Sequence, residues 1–376
     1  MADPVFKVLV VGAGHVGPAV ATLLNETGDF SIVLADATEE GIRHAEALGF
    51  RAREFDAVRP ADADRLLPEF DLVVGATPQW ALSYLGPMAV KHGVAYIDLA
   101  EDSAALAPLA SAIRAPTIPC CGFSPGLQND LANHLVHRFD QAHALQVRVG
   151  AIPAQRTNRL GYALIWDVDA LVNEHIRPVT SIVDGQVVER EPLSDYEMLE
   201  IGGTTLESFT TSGGSRALCT RFTGQLDRVD MKSIRYPGYY ELMRFLLDDL
   251  QLRARPHQLA SLLRNGLPEA GNDVLFSAIS ASGIIDGKPA ELWETHRIES
   301  LTLANGTTIG ALSRAAAAHV CAIADLIRLH EPETAGLVDH MNIPFEKLAS
   351  NRFLAGLFPA SAADASRSQR ARPSTV

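Results

Sequence analysis

The chain has 376 residues and a formal net charge of −13, and its composition is that of an ordinary globular protein, with 47% hydrophobic and 20% charged residues. This length suits two domains with separate cores. The acidic balance argues against a nucleic-acid or membrane-surface partner, and no segment approaches the roughly 20 apolar residues that span a bilayer. The N-terminus lacks a signal-peptide pattern, and the four cysteines lack metal-site spacing. We therefore expect a cytoplasmic protein with reduced cysteines.

The first stretch of the chain contains a strand, a glycine-rich turn, a helix, a second strand and an acidic residue, in that order. Residues 7–11 read Lys-Val-Leu-Val-Val, and residues 12–17 read Gly-Ala-Gly-His-Val-Gly. A predicted helix over 18–25 follows, and a second apolar run over 31–35 ends at Asp36. This order and spacing are typical of the βαβ unit that binds dinucleotides.

Each residue type in this unit has a physical reason. Gly12 permits the tight turn off the strand, Gly14 lets a pyrophosphate approach the backbone, and Gly17 allows the helix to pack closely on the strand. The helix N-terminus offers N–H groups and the positive end of a helix dipole to the phosphates. Asp36 would accept hydrogen bonds from ribose hydroxyls and repel a 2′-phosphate, so we predict NAD rather than NADP as the cofactor.

Strands and helices continue to alternate as far as residue 121. Further strands are predicted over 51–56, 71–75, 94–99 and 116–121, and helices over 39–48, 61–67, 82–92 and 104–113. Six strands alternating with helices predict a doubly wound parallel sheet of Rossmann type, whose ligands bind at the carboxyl ends of the strands. Asp56 is expected beside the adenine. The predicted cofactor contacts are Gly12, Gly14, His15, Val16, Gly17, Asp36, Asp56, Ala76, Thr77 and Pro78.

From residue 122 the pattern changes. Residues 122–126, Gly-Phe-Ser-Pro-Gly, are predicted to form a hinge. Period-two alternation over 145–149 and hairpin turns at Asp184-Gly185 and Asn305-Gly306 predict a mostly antiparallel sheet. Further strands are expected over 274–284 and 291–299, and helices over 127–139, 170–174, 239–250, 256–264 and 310–328.

The fold class predicted from these patterns is α/β, with a second α+β domain built on the antiparallel sheet. We expect a Rossmann domain over 1–122 and an α+β domain for substrate binding and dimerisation over 123–309. Helices over 310–358 are expected to pack back on the Rossmann domain, and residues 359–376 to form a disordered tail. The sheet domain would supply the surface of a homodimer.

Six short motifs carry a resemblance to a known family. They read Val-Gly-Ala-Gly-His-Val-Gly at 11–17, Cys-Gly-Phe-Ser-Pro-Gly at 121–126, Val-Gly-Ala-Ile-Pro at 149–153, Leu-Gly-Tyr at 160–162, Thr-Ser-Gly-Gly at 211–214 and Ser-Ile-Arg-Tyr-Pro-Gly at 233–238. In this order the chain resembles the saccharopine dehydrogenase family, which includes the lysine 6-dehydrogenases. The resemblance implies NAD(P)-linked oxidation of the side-chain carbon–nitrogen bond of a lysine-type amino acid, with an imine product that hydrolyses to an aldehyde.

The resemblance also implies which segments line the amino-acid site, over the nicotinamide. These are Ser124 in the 122–126 motif, the 211–214 turn, and the Arg235-Tyr236 pair. The chemistry needs a clamp for the α-carboxylate, which Arg235 suits by its bidentate geometry and to which the turn can add N–H donors. The predicted substrate-binding residues are Ser124, Ser212, Gly213, Gly214, Arg216 and Arg235.

An acid–base group must also handle the amine proton and activate water. The candidates are Asp98, Tyr162 and Tyr236, with Glu101 and Asp102 as further carboxylates. Plainer interpretations stay open: Arg235 can pair a surface carboxylate, the tyrosines can be packing residues, and Asp98 can cap a helix. His134 and His137 lie three residues apart, but no third ligand has matching spacing, so we expect no metal there.

The substrate stays open between saccharopine and lysine. Family members that form glutamate carry an acidic residue where Ser124 stands and an arginine within the segment of the 211–214 turn, from which Arg216 is displaced. The turn is more similar to that of lysine 6-dehydrogenases, and lysine has one carboxylate where saccharopine has three. We take saccharopine oxidation to allysine and glutamate as the first expectation. The alternatives are lysine 6-dehydrogenation, a reductive imine-forming synthase of polyamine or opine type, and a cofactor-binding regulator without turnover.

Overall fold

The computed structural model describes residues 5–270, 272–304 and 306–358, which form two compact units. The first unit takes the chain up to Asp130 together with 313–358, and the second takes Leu131–Leu312. The predicted tail over 359–376 lies outside the described residues. None of the helices in the described ranges combines the length and apolar character needed to cross a lipid bilayer. The homodimer and the cytoplasmic location stay predictions.

The first unit is built on a six-stranded parallel sheet, as predicted. The strand order is β3-β2-β1-β4-β5-β6, so the chain reverses direction across the sheet between β1 and β4, where ligands bind in this architecture. The central strands are continuous apolar runs because helices cover both faces of such a sheet. The strands are β1 Phe6–Val11, β2 Phe30–Asp36, β3 Arg51–Glu54, β4 Leu72–Gly75, β5 Ala95–Asp98 and β6 Thr117–Ile118.

The helices of this part connect the parallel strands. They are α1 Val16–Asn25, α2 Glu39–Ala47, α3 Pro60–Leu66, α4 Gln79–His92 and α5 Leu127–Val136. The boundary between the two units falls within α5, after Asp130. The helix predicted over 104–113 was wrong: only a 3₁₀ turn at Ala107–Leu109 forms, because Pro108 lacks the backbone N–H that a longer helix would need. The sixth strand is shorter than predicted, since Pro116 and Pro119 flank it.

The second unit holds an eight-stranded sheet that is antiparallel except where β12 pairs with β7. This confirms the predicted fold class. Its main path runs β10-β11-β12-β7-β13-β14, and β8 joins through β12 and carries β9. The strands are β7 Gln141–Pro153, β8 Val179–Val183, β9 Gln186–Arg190, β10 Glu197–Ile201, β11 Thr204–Thr210, β12 Arg228–Arg235, β13 Asp273–Ile285 and β14 Lys288–Glu299.

Turn chemistry fixes the predicted hairpins. Asp184 and Gly185 both have positive φ, 49° and 74°, as the two-residue turn between β8 and β9 requires. The second hairpin joins β15 Leu301–Thr302 to β16 Thr308–Ile309, and Asn305 in its loop lies outside the described residues. The sequence pattern did not predict β10 to β12. In β11 and β12 this is because polar residues lie on buried as well as exposed faces.

Four helices pack around this sheet, and two more follow in the first unit. They are α6 Val168–Ile176, α7 Ser215–Phe222, α8 Tyr239–Arg244, α9 Pro256–Gly266, α10 Ala311–Arg328 and α11 Phe345–Ala349. A π-helical turn continues α8 to Asp249, so the helical segment predicted there has nearly its full extent. The buried alanines of α10 allow close packing on the Rossmann sheet's helices, and Cys321 Sγ lies 3.7 Å from Val20 O of α1.

Candidate functional site

The three glycines of the turn after β1 have different surroundings. A Cβ on Gly12 would overlap Ala76 O, and Gly12 has a φ of +110°. A Cβ on Gly17 would overlap Gly12 O. A Cβ on Gly14 would meet no heavy atom within 4 Å. Packing within the protein therefore requires two of the glycines, whereas the third leaves open space where a pyrophosphate fits.

The N-terminus of α1 is open to an anion. No side chain in the described part of the chain caps it, and no acidic residue stands in its first turn. His15, which precedes the helix, is exposed. Free N–H groups and the helix dipole thus point at the space beside Gly14, as phosphate binding requires.

Asp36, at the end of β2, is held in one orientation by the glycine turn and by α2. Its Oδ2 accepts a hydrogen bond from Ala13 N at 2.9 Å, and its Oδ1 accepts from Thr38 N at 2.9 Å and from Thr38 Oγ1 at 2.7 Å. A Cβ on Gly41 would overlap the Asp36 carboxyl group, so α2 approaches it closely. Asp56 forms an ion pair with Arg59 at 3.1 Å and accepts a hydrogen bond from Val58 N at 3.1 Å, and its contact with the adenine stays a prediction.

Two buried hydroxyls near the carboxyl edge of the sheet lack hydrogen-bond partners among the described residues. Thr77 follows β4, and its Cγ2 would lie 3.2 Å from a Cβ on Gly12. Ser124 sits in the 122–126 loop, which is so tight that a Cβ on Gly126 would overlap Gly122 O. Buried polar groups are normally paired, so both hydroxyls suit a bound ligand.

The first turn of α5 also carries buried polar side chains without hydrogen-bond partners among the described residues. The side-chain amides of Gln128 and Asn129 are fully buried, and neither has a hydrogen-bond partner in the described ranges. Sequence reasoning missed both residues, although they directly follow the 122–126 motif. An amide pair that donates and accepts is well suited to a polar ligand.

Asp98 at the end of β5 is buried, with 3% exposure. Its Oδ1 accepts hydrogen bonds from Ala100 N at 3.0 Å and Cys120 N at 2.8 Å, and these bonds hold Cys120 at a φ of +64°. Burial raises the pKa of Asp98 to about 6, although the two backbone hydrogen bonds act in the opposite direction. Asp98 thus joins the segment after β5 to the segment after β6 through backbone hydrogen bonds. Its catalytic role stays a prediction.

Arg235, at the end of β12, is the centre of a buried polar cluster in the second unit, which we call the arginine cluster. Arg235 is 3% exposed, and its guanidinium carbon lies 5.0 Å from the Tyr162 ring centre and 5.4 Å from that of Tyr239. Nη1 donates to Ile234 O at 2.8 Å, and Nη2 is 3.9 Å from Glu174 Oε2. Nε has no hydrogen-bond partner among the residues described.

The guanidinium is charged despite its burial. Burial alone would lower the pKa of Arg235, but the two tyrosines and Glu174 outweigh that effect and raise the pKa above its usual value. The buried guanidinium of Arg235 has one N–H group without an acceptor among the described residues, and its nearest carboxylate, Glu174, is 3.9 Å away. It can therefore bind a further anion.

The 211–214 turn positions Glu174 beside this guanidinium. Glu174 lies in α6, whose N-terminus is capped by Asp167 accepting from Ala170 N at 2.7 Å. A Cβ on Gly213 would overlap Glu174 Oε1, so the carboxylate would have to shift if residue 213 carried a side chain. Ser212 N donates to Glu174 O at 3.2 Å. Glu174 was not predicted as a site residue, because nothing in its local sequence indicates which way α6 faces.

Aromatic and histidine side chains complete the arginine cluster. Trp166 Nε1 donates to the Tyr162 hydroxyl at 3.0 Å, and the Tyr239 hydroxyl lies 3.3 Å from His175 Nε2. Burial and the neighbouring Arg235 lower the pKa of His175 to about 3, so His175 is neutral near pH 7. Burial raises the pKa of Tyr162, which therefore keeps its proton.

The remaining candidate residues from the sequence make contacts outside the arginine cluster. The Tyr236 hydroxyl donates to Pro153 O at 3.0 Å, across the sheet. Arg216, in the first turn of α7, is exposed. Asp102 accepts from Ala104 N at 3.0 Å, as a residue that starts a turn does. His137 Nδ1 is bonded to Asn133 O of its own helix at 2.7 Å.

Comparison with known proteins agrees with the motifs. Residues 8–118 match the family model described as the saccharopine dehydrogenase NADP binding domain. Among solved structures, the apo histidine-tagged L-Glu-forming saccharopine dehydrogenase from Saccharomyces cerevisiae is similar, with a TM-score of 0.76 and 16% identity over 92% of this chain and 97% of that chain.

Two further solved structures align over similar fractions of the chain but with lower TM-scores. A probable dehydrogenase from Thermotoga maritima has a TM-score of 0.46 and 12% identity, over 93% of this chain and 97% of that chain. A myo-inositol dehydrogenase from Lactobacillus casei has a TM-score of 0.44 and 13% identity, over 94% and 96%. The resemblance to the saccharopine dehydrogenase family is confirmed by the match of residues 8–118 to the NADP binding domain of that family and by the fold shared with the saccharopine dehydrogenase structure.

Proposed function

We propose that the protein is an NAD-dependent oxidoreductase that oxidises the side-chain carbon–nitrogen bond of saccharopine, giving allysine and glutamate. The observation that carries the proposal is the buried guanidinium of Arg235, whose Nε has no hydrogen-bond partner among the described residues. A substrate carboxylate would supply the missing acceptor in a bidentate pair and compensate the cost of burying the charge.

Glu174 gives the arginine cluster a second charge of opposite sign. Its Oε2 lies 3.9 Å from Arg235 Nη2, farther than a direct hydrogen bond. An amino acid carries a carboxylate and an ammonium group on the same carbon. We assign the carboxylate to Arg235 and the ammonium to Glu174, which together select an α-amino acid over a simple acid or amine.

The first unit suits a dinucleotide cofactor because the space beside Gly14 is open and the N-terminus of α1 has no side-chain cap among the described residues. When bound, the nicotinamide supplies the hydride acceptor for oxidation of the carbon–nitrogen bond. Gly14 leaves room for the pyrophosphate, the α1 N-terminus donates N–H groups to it, and Asp36 accepts from the ribose hydroxyls. Since Asp36 would repel a 2′-phosphate, we assign NAD, although the matching family model is described as NADP binding.

Tyr162 is the acid–base candidate that lies against Arg235. Its hydroxyl oxygen accepts from Trp166, so its own hydrogen remains available for a substrate or a water molecule. Because burial raises its pKa, Tyr162 acts as a proton donor rather than a base. Asp98 and Tyr236 remain candidates of the second rank, since backbone groups already engage both side chains.

Lysine is the second candidate substrate, and one observation favours it. Arg216, the residue proposed to bind an additional carboxylate of saccharopine, is exposed on α7, and Glu174 occupies the space against the 211–214 turn. Lysine would need only the carboxylate clamp of Arg235.

The test offers L-saccharopine and L-lysine separately to the purified protein with NAD, and with NADP in parallel, while reduced nicotinamide is recorded at alkaline pH. Turnover of saccharopine supports the proposal, and Arg216→Gln should then raise the KM for saccharopine. Turnover of lysine alone assigns the second candidate. Absence of turnover with both substrates, while NAD still binds, would overturn the proposal and direct attention to a reductive imine-forming reaction.

A further inference from the structure

A buried aspartate between two histidines has no role in the cofactor domain or the arginine cluster. Asp130 lies in the first turn of α5, His319 in the middle of α10, and His340 in a 3₁₀ turn over His340–Asn342. Their side chains are 2%, 0% and 3% exposed. Each offers one ligand atom, and these atoms lie within 4.8 Å of one another.

The backbone fixes the ring of His319. Its Nδ1 lies 3.0 Å from Cys121 O and 3.1 Å from Gly122 O. A carbonyl oxygen can only accept, so Nδ1 carries the hydrogen and a neutral ring presents the lone pair of Nε2. Metal-binding histidines characteristically donate their other N–H group to a carbonyl or carboxylate in this way.

The lone pair of His319 faces a carboxylate. His319 Nε2 and Asp130 Oδ2 are 2.8 Å apart, and within the described ranges both atoms are buried without a hydrogen-bond partner. A nitrogen and a carboxylate oxygen this close repel each other unless a proton or a metal ion lies between or beside them. A shared proton would lie on the line between the atoms, whereas a metal ion would lie off that line and bind both.

His340 supplies a third ligand from a distant part of the sequence. Its Nδ1 forms a hydrogen bond of 2.6 Å with Asp130 Oδ1, a contact that a bound ion would replace, and its ring stands at 82° to that of His319. Two imidazoles and one carboxylate form a set that Zn²⁺ accepts in four-coordinate geometry, with one position left for water.

We propose that Asp130, His319 and His340 bind a divalent first-row metal ion, with Zn²⁺ as the best match. The three ligands come from α5, α10 and the 340–342 turn, so the ion would join these elements to the backbone at 121–122 through His319. All three ligand side chains are at most 3% exposed, so a substrate could not reach the ion and its role would be to hold these elements together.

The test uses the full chain, purified from zinc-supplemented medium without a metal-affinity step. Elemental analysis should give about one zinc per chain, lost in His319→Gln and in Asp130→Asn. Because these variants can fail to fold, the wild-type protein is also stripped with a chelator and titrated with Co²⁺. The visible absorption of a tetrahedral Co²⁺ site should then appear, and Zn²⁺ should abolish it and raise the melting temperature.

His92→Gln is the matched control. His92 Nε2 lies 2.8 Å from Asp64 Oδ1 in the same unit, but this pair is on the surface, and no third histidine, cysteine or carboxylate ligand joins it among the described residues. This variant should keep its zinc and its Co²⁺ spectrum. Wild-type protein that contains no stoichiometric metal, and that shows neither Co²⁺ absorption nor a Zn²⁺-dependent melting temperature, would overturn the proposal whatever its dehydrogenase activity.

Discussion

We propose that the glycine turn of the first unit and the arginine cluster of the second unit both bind charged groups, in opposite ways. The glycine turn uses neutral backbone groups and missing side chains, and its parts lie close together in sequence, from Gly12 to Gly41. The arginine cluster uses a full buried charge, and its residues come from separate elements between Tyr162 and Tyr239. An added methyl group should therefore disrupt either the folding or the cofactor binding of the glycine turn. The arginine cluster should instead be sensitive to the charge and hydrogen-bonding geometry of its side chains.

The largest effect is expected within the glycine turn itself. Gly17→Ala would place a Cβ against Gly12 O, so we expect a loss of at least about 3 kcal/mol in the free energy of unfolding, or no folded protein. Gly14→Ala is the matched control, because its Cβ meets no heavy atom within 4 Å. It should keep the wild-type unfolding free energy but bind NAD more weakly. Equal losses of stability in both variants, measured by urea unfolding, would contradict this difference.

A second effect concerns the buried carboxylate of Asp98. Its pKa is about 6 in the folded protein and has the ordinary aspartate value of 3.8 in the unfolded chain, so the unfolded chain ionises first as pH rises. The stability that the protonated form contributes is full below pH 3.8 and is lost as pH passes through about 6, a change of about 3 kcal/mol. Asp98→Asn keeps the Oδ1 acceptor and should remove this part of the pH dependence. Urea unfolding of both proteins across that window tests it, and identical pH profiles would refute it.

Glu174 tests whether the arginine cluster recognises a zwitterion. Glu174→Gln keeps the shape beside Gly213 but removes the negative charge near Arg235. Loss of a charged hydrogen bond to the substrate ammonium should cost about 2 kcal/mol, which raises the KM for the amino acid. Inhibition by a monocarboxylate without an α-amine should become stronger, because Arg235 loses a competing anion. Weaker inhibition by that monocarboxylate would mean that Glu174 only holds the cluster together.

The smallest effect is expected at Asp36. Asp36→Ala removes the acceptor for the ribose hydroxyls and the charge that repels a 2′-phosphate, so the preference for NAD over NADP should fall about tenfold. Asp56→Ala is the comparison, since Asp56 is paired with Arg59 at 3.1 Å. Dissociation constants for both cofactors decide the point. An unchanged preference in Asp36→Ala would exclude the role given to Asp36.

The same contrast explains what the sequence could predict. The parallel sheet and the glycine turn were predictable because hydrophobic runs, glycines and Asp36 follow one another at fixed spacing. The resemblance pointed to Arg235 and the 211–214 turn as candidates, but not to Glu174, Trp166 or His175. Their contacts depend on which face of α6 and of the 162–166 segment turns inward, and local sequence does not encode that.

Proline placement explains the errors in the Rossmann half. The helix predicted over 104–113 was wrong because Pro108 lies within it, and the sixth strand is limited by its flanking prolines. The spacing of His134 and His137 made them the pair to consider as metal ligands. The buried cluster of Asp130, His319 and His340 is spread over the chain and has no sequence signature.

The most direct test of the account is the KM of Arg235→Lys for whichever of saccharopine and lysine the wild-type protein oxidises, measured with the dissociation constant for NAD. Lysine keeps the positive charge but cannot form the bidentate pair or stack between Tyr162 and Tyr239. We predict that the KM for the amino acid rises at least about tenfold while NAD binding is unchanged. An unchanged KM in a folded variant would contradict the assignment of Arg235 as the carboxylate clamp.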